Sequence, residues 1–269
     1  MSAAPLRTEP AGVPVGPAPV SRLHRLAWLW VLVVGVVSYL LVLRTLVATQ
    51  NLNFVPSLIL LGSIVVPASV LVFAASSGRQ VIVPSGLIAL VAVLGGVIGT
   101  VAAGTLEYDA LHRLGALPMI MVGLIEESAK LIVPLLVLLL TRHRSPRAGV
   151  IIGVASGMGF ATLETMGYGF SALLSSGKLA AVEQTLLLRA LLSPAGHVAW
   201  TGLTAAALWA VASSPRRARA VVRLVGVFVA AVLLHAAWDG FDNLWVHLVV
   251  GGVSFTALLV MIRRAHRPA

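Results

Sequence analysis

Apolar residues run almost without interruption over eight stretches of the 269-residue chain, at about 27–48, 54–75, 81–104, 117–140, 148–174, 187–212, 220–240 and 244–262. A helix rises ~1.5 Å per residue, so roughly 20 apolar residues cross a ~30 Å hydrocarbon layer. The pattern therefore predicts an all-α fold, a polytopic membrane helix bundle of about eight transmembrane helices. The run from Ala27 to Leu43 is longer than the apolar centre of a signal peptide and no small-x-small cleavage site follows it, so it counts as the first helix. Residues 1–21 hold five Pro among the first 20 positions and no apolar periodicity, which predicts a disordered Pro/Ala-rich cytoplasmic tail ahead of one transmembrane helical domain over 22–269. Pro67, Pro84, Pro118, Pro134 and Pro194 are expected at kinks or helix starts, and the Gly153/Gly157 spacing at a close helix crossing.

Composition agrees with the pattern. Apolar residues make up 59% of the chain and charged ones 10%, with a mean hydropathy of +1.00, which excludes an ordinary water-soluble enzyme or a disordered chain. The net charge of +10 does not point to nucleic acid, because the basic residues are divided among short linkers. Arg22 and Arg25, Arg79, the Arg142/Arg144/Arg147 group, the Arg216/Arg217/Arg219 group and the Arg263/Arg264/Arg267 group all fall on one side if eight helices alternate. The intervening linkers carry Arg44 alone, then Glu107, Asp109 and Arg113, then Lys178 with Glu183, then Asp242. The positive-inside rule then predicts a multi-pass protein of the cell (plasma) membrane with both termini cytoplasmic. With no Cys, neither a thiolate nucleophile nor a Cys-ligated zinc is available.

Nine acids are few enough to weigh singly. A charge at the centre of a membrane helix costs about 2.5 to 3.5 kcal/mol on insertion scales, so one is kept where it is paired, neutralised or wet. Glu126 and Glu127 sit mid-segment in the fourth stretch, with Lys130 one turn on from both. Adjacent helical residues point about 100° apart, so one Glu is expected to face a cavity and the other to be tied to Lys130 or another helix. Glu164 lies in the fifth stretch, His197 in the sixth, followed one turn on by Thr201, and His235 in the seventh with Asp239 four residues later on the same face. Counting ~1.5 Å per residue from the outer helix ends places Glu126, Glu164 and His197 about 14 to 15 Å deep, and His235 about 8 Å deep. The acids and imidazoles are thus expected to gather around one wet pocket. A salt-bridged scaffold is the bland alternative, and a proton-coupled or ion transporter the other, because relays use the same residue types.

The ordered set Glu126-Glu127-Ser128-Ala129-Lys130, Phe160-Ala161-Thr162-Leu163-Glu164, His197 and His235-Ala236-Ala237-Trp238-Asp239 resembles the PrsW family of intramembrane metalloproteases, itself similar to the CAAX-type prenyl endopeptidases. The match spans about residues 117–240, which the resemblance makes the catalytic part. It implies a peptidase acting on a membrane protein substrate within the lipid bilayer, such as an anti-sigma factor-like protein cut on its outer side. It also implies Glu126, Glu127 and His197 as catalytic residues, with Lys130, Glu164 and Asp239 supporting. Peptide hydrolysis needs an activated water, a stabilised oxyanion and an acid for the leaving amine. Two versions follow. In one, His197, His235 and Glu164 hold a divalent ion such as Zn²⁺; in the other, a glutamate works with histidine alone. The chain carries no H-E-x-x-H, the usual zinc-protease signature.

Overall fold

The computed structural model describes residues 22–77, 83–142 and 144–265. The tail expected over 1–21, together with Arg79 and Arg267, lies outside them. Among the described residues every regular element is helical. In chain order these are α1 (Arg22–Arg25), α2 (Ala27–Thr49), α3 (Val55–Ser76), α4 (Ser85–Leu114), α5 (Met119–Lys130) and α6 (Ile132–Leu140). They continue with α7 (Pro146–Ser176), α8 (Leu179–Leu192), α9 (His197–Ser213), α10 (Arg217–Gly240) and α11 (Leu244–Ala265). Six stretches, Ala27–Thr49, Leu52–Ser76, Ser85–Leu114, Pro146–Ser176, Arg217–Gly240 and Leu244–Ala265, are long and apolar enough to cross a membrane. They leave large apolar side chains uncovered, among them Trp30, Leu41, Val93, Val101, Val222 and Val225. A soluble monomer does not tolerate so wide an apolar surface, and lipid does. The chain is a multi-pass helical membrane bundle.

Two of the expected crossings are broken, and both breaks fall beside residues of the polar set. The stretch 117–140 divides at Leu131 into α5 and α6. Pro134 has no N–H to give to the carbonyl of Lys130 four residues back. The Ser156 hydroxyl of α7 donates to that carbonyl instead, at 2.8 Å. The stretch 187–212 is likewise not one helix. α8 ends at Leu192, a 3₁₀ turn covers Ser193–Ala195, and Gly196 leaves helical dihedrals (φ −108°, ψ −114°) before α9 starts on His197 itself. Lys178 and Glu183, expected in a linker, therefore cap and join α8. α4 also runs further than its apolar stretch, to Leu114, so Glu107, Asp109 and Arg113 are helical. It ends where Gly115 takes the left-handed conformation (φ 71°) and closes on the carbonyl of Leu111.

α7 is the central helix, with most of its length buried between α3, α4, α8 and α9. Lipid gives no hydrophobic push between helices, so close packing must hold them, and small residues permit it. A Cβ on Gly153 would stand 2.6 Å from the Thr201 carbonyl, and one on Gly157 the same distance from that of His197. The expected close crossing at this pair is thus the contact between α7 and α9. On the opposite side a Cβ on Gly159 would overlap the Ala92 carbonyl of α4. Pro84 and Pro118 sit at the N-caps of α4 and α5, and Pro67 lies inside α3.

Candidate active site

Four helices bring the whole predicted set together: α5 supplies Glu126, Glu127 and Lys130, α7 supplies Glu164, α9 supplies His197, and α10 supplies His235 and Asp239. α5 and α10 meet closely enough that a Cβ on Gly123 would stand 2.8 Å from the Val232 carbonyl. One turn on, both helices aim their polar residues at the same place.

The two adjacent glutamates have different surroundings. Glu127 is 1% exposed, and its Oε1 accepts from Lys130 Nζ at 2.8 Å and from His235 Nδ1 at 2.8 Å. Glu126 Oε2 is buried too, but its nearest contact is a looser 3.1 Å ion pair with Lys130. The Glu126 side chain borders a cavity of about 650 Å³ between α4 and α7 that also meets Thr100, Glu107, Phe160, Glu164 and Tyr168. One glutamate faces the cavity and its neighbour is tied down, as the 100° turn between them requires.

His197 is fixed from both ring nitrogens. Lys130 Nζ lies 2.7 Å from Nδ1, so the ammonium donates there and Nε2 carries the ring proton toward Glu164 Oε2 at 2.9 Å. His235 Nδ1 donates to Glu127, so a neutral ring carries its lone pair on Nε2. That atom lies 3.0 Å from Asp239 Oδ2, to which the protonated ring donates, and 3.5 Å from Glu126 Oε2. The indole of Trp200 stacks on the His235 ring with centroids 5.0 Å apart and is held by a 2.9 Å hydrogen bond from its Nε1 to Ser254 of α11. Phe160 lies under the Lys130 ammonium, 4.4 Å from ring centroid to Nζ, which gives the aromatic member of F-x-x-x-E its place.

The donor set fits a cation on two grounds. Glu126 Oε2 and His235 Nε2 are buried atoms of ligand type 3.5 Å apart. Two ligands of a tetrahedral ion with bonds of about 2.0 to 2.1 Å stand roughly 3.4 Å apart. The third candidate is His197, and one donor atom from each of Glu126, His197 and His235 lies within 4.8 Å of the others. Charge agrees: Glu126, Glu127, Glu164 and Asp239, when ionised, face the permanent cations Lys130 and Arg189. Four negative charges against two positive leave a deficit of two when both imidazoles are neutral, which a divalent ion cancels. Glu164, expected among the ligands, lies outside this group and is engaged by His197 and Arg189.

Two polar residues join the centre that sequence reading assigned to no site. Arg189 of α8 pairs with Glu164 at 2.6 Å, its guanidinium 3.8 Å from the centre of the Tyr168 ring. It also borders a second cavity of about 360 Å³ that reaches His197 from the α8 and α11 side, past Trp200 and Trp238. Glu107 of α4 borders the larger cavity, and its Oε1 is buried without a partner. Arg189 carries the same signal as the acids, a charge inside the apolar run Leu186–Leu192. Glu107 carries none, because the apolar pattern ends before it.

An all-helical membrane bundle with a buried carboxylate–imidazole centre open to an internal cavity has the build of an intramembrane peptidase. The sequence profile described as PrsW family intramembrane metalloprotease matches residues 66–263, and the chain belongs to that family. No curated protein and no solved structure matches the chain.

Proposed function

We propose that the chain hydrolyses a peptide bond of a single-pass, membrane-anchored protein substrate in the outer half of the bilayer, with Glu126 as the residue that meets the attacking water. The observation that carries this reading is the place of Glu126, which lines the α4/α7 cavity and groups with His197 and His235. Of the two adjacent glutamates it is the one that a water in the cavity would meet. Glu127 is tied through Oε1 to Lys130 and His235 and serves as the positioning residue of the pair. His197, whose Nε2–H points toward Glu164, stands where it can polarise the scissile carbonyl or protonate the leaving amine. Glu127 accepts from His235 Nδ1 and fixes its ring, with Asp239 beside the other nitrogen. Glu126, His197 and His235 would hold a divalent ion such as Zn²⁺, which when bound acidifies water and polarises carbonyls. The aligned Arg groups of the linkers support both termini in the cytoplasm of a cell whose plasma membrane holds the protein, and an outward-facing centre suits an anti-sigma factor-like substrate.

The test is reconstitution of the purified protein in liposomes with a tagged single-pass membrane protein, and identification of the products by mass spectrometry. Cleavage within or next to the outer half of the substrate's membrane segment, lost on chelation and restored by Zn²⁺, is expected. Products at the inner face contradict the depth, and full cleavage after the metal has been stripped contradicts the ion.

A further inference from the structure

Lys130 is the unexpected member of the centre. Its Nζ lies 2.7 Å from His197 Nδ1 and 3.1 Å from Glu126 Oε2. Glu126 Oε2 is one of the candidate ligand atoms, and Nδ1 is the ring nitrogen of His197 that stands 3.9 Å from it. The ammonium is fully buried, hydrogen-bonded to Glu127 at 2.8 Å and seated over Phe160, so it is held in this position by its surroundings. An ion bound by Glu126 and His197 needs the lone pairs that face this ammonium, and two positive charges at such separation repel strongly in a buried site.

We infer that Lys130 is an internal counter-cation that competes with the divalent ion for Glu126 and His197, and that ion binding drives its ammonium back toward Glu127 alone. The inference rests on the reading that Glu126, His197 and His235 hold the ion. It follows that Lys130 offsets part of the acids' buried charge before any ion arrives. It also follows that the affinity for the ion is set below what the three donors alone would give.

The affinity of the chelator-treated, detergent-purified protein for Co²⁺, by its d–d absorption, and for Zn²⁺, by competition with a chromophoric chelator, tests this for the wild type, K130M and K130R. Removing the positive charge in K130M is expected to tighten binding by roughly tenfold or more. K130R, which keeps the charge, is expected to bind as weakly as the wild type or more weakly. Lys130 and Lys178 are the chain's two lysines, so ¹⁵Nζ labelling gives a second reading on the unmutated protein. Saturating Zn²⁺ is expected to shift the Lys130 resonance and leave that of Lys178 in place. Equal or weaker binding by a helical, monodisperse K130M overturns the inference, and so does a Lys130 resonance that Zn²⁺ does not move if K130M fails to fold. Those outcomes leave the ion reading intact. Failure of both the wild type and K130M to bind either metal overturns the inference and the ion reading together.

Discussion

Glu126 and Glu127 are neighbours on one turn of α5, yet Glu127 Oε1 accepts two 2.8 Å hydrogen bonds while the nearest contact of Glu126 Oε2 is a looser 3.1 Å ion pair with Lys130. The difference predicts two kinds of loss. Glu126→Ala removes one ion pair but leaves Lys130 held by Glu127 and His197, so cleavage is expected to disappear while the melting temperature stays within a few degrees of the wild type. Glu127→Ala strands Lys130 and His235 in a buried site, and breaking such a pair costs about 3 to 5 kcal/mol. Both cleavage and melting temperature are expected to fall, as read by tryptophan fluorescence during heating in detergent. Equal destabilisation by the two substitutions would contradict the division of roles.

Arg189 acts on His197 through Glu164, by a 2.6 Å pair on one side and a 2.9 Å contact on the other. Loss of an orienting partner of this kind costs roughly 10- to 100-fold in activity. Arg189→Met is expected to lower kcat by that factor with KM nearly unchanged, and Arg189→Lys to recover part of it. A rise in KM alone would make Arg189 a substrate contact instead.

The crossing of α4 and α7 tolerates no side chain at Gly159, where a Cβ would overlap the carbonyl of Ala92. Gly159→Ala is expected to separate the helices that carry Glu107 and Glu164 and to lower the melting temperature by several degrees. Gly226 of α10 has nothing within 4 Å of its Cβ position. Gly226→Ala at that site is expected to be neutral or to stabilise by up to about 1 kcal/mol, the helix-propensity difference. Similar melting temperatures for the two variants would contradict the packing described.

Trp200 fixes one face of the His235 ring and is itself held by Ser254. Trp200→Ala opens a cavity beside the centre, and truncations of this size in a packed interior cost about 3 to 5 kcal/mol. The expected result is a lower melting temperature together with slower cleavage. Ser254→Ala, which removes only the hydrogen bond, is expected to cost about 1 kcal/mol. Equal effects of the two would make the stacking on His235 unimportant.

Much of this centre is legible in sequence because charge inside lipid is costly, so each of Glu126, Glu127, Lys130, Glu164, His197 and His235 is conspicuous against its apolar neighbours. The i, i+4 spacing gave the His235–Asp239 contact, and the 100° turn gave the unlike surroundings of the two glutamates. The helix breaks were less legible. Hydropathy stays high across Leu131 and across Ser193–Gly196, so apolar runs alone join α5 to α6 and α8 to α9. The signals lay in Pro134, whose missing N–H frees the Lys130 carbonyl, and in Pro194 with Gly196 just ahead of His197. Glu107 was hidden because α4 continues for ten residues beyond the predicted end of its apolar stretch at 104, to Leu114.

The initial rate at which liposome-reconstituted protein cleaves a co-reconstituted single-pass substrate, compared among the wild type, Glu126→Ala, His197→Ala and the distant Glu183→Ala, tests the central claim most directly. The account predicts that Glu183→Ala cuts at the wild-type rate while Glu126→Ala and His197→Ala fall by at least about a hundredfold, the scale on which general acid–base groups act. Wild-type rates from Glu126→Ala and His197→Ala, with the fold intact, would contradict it.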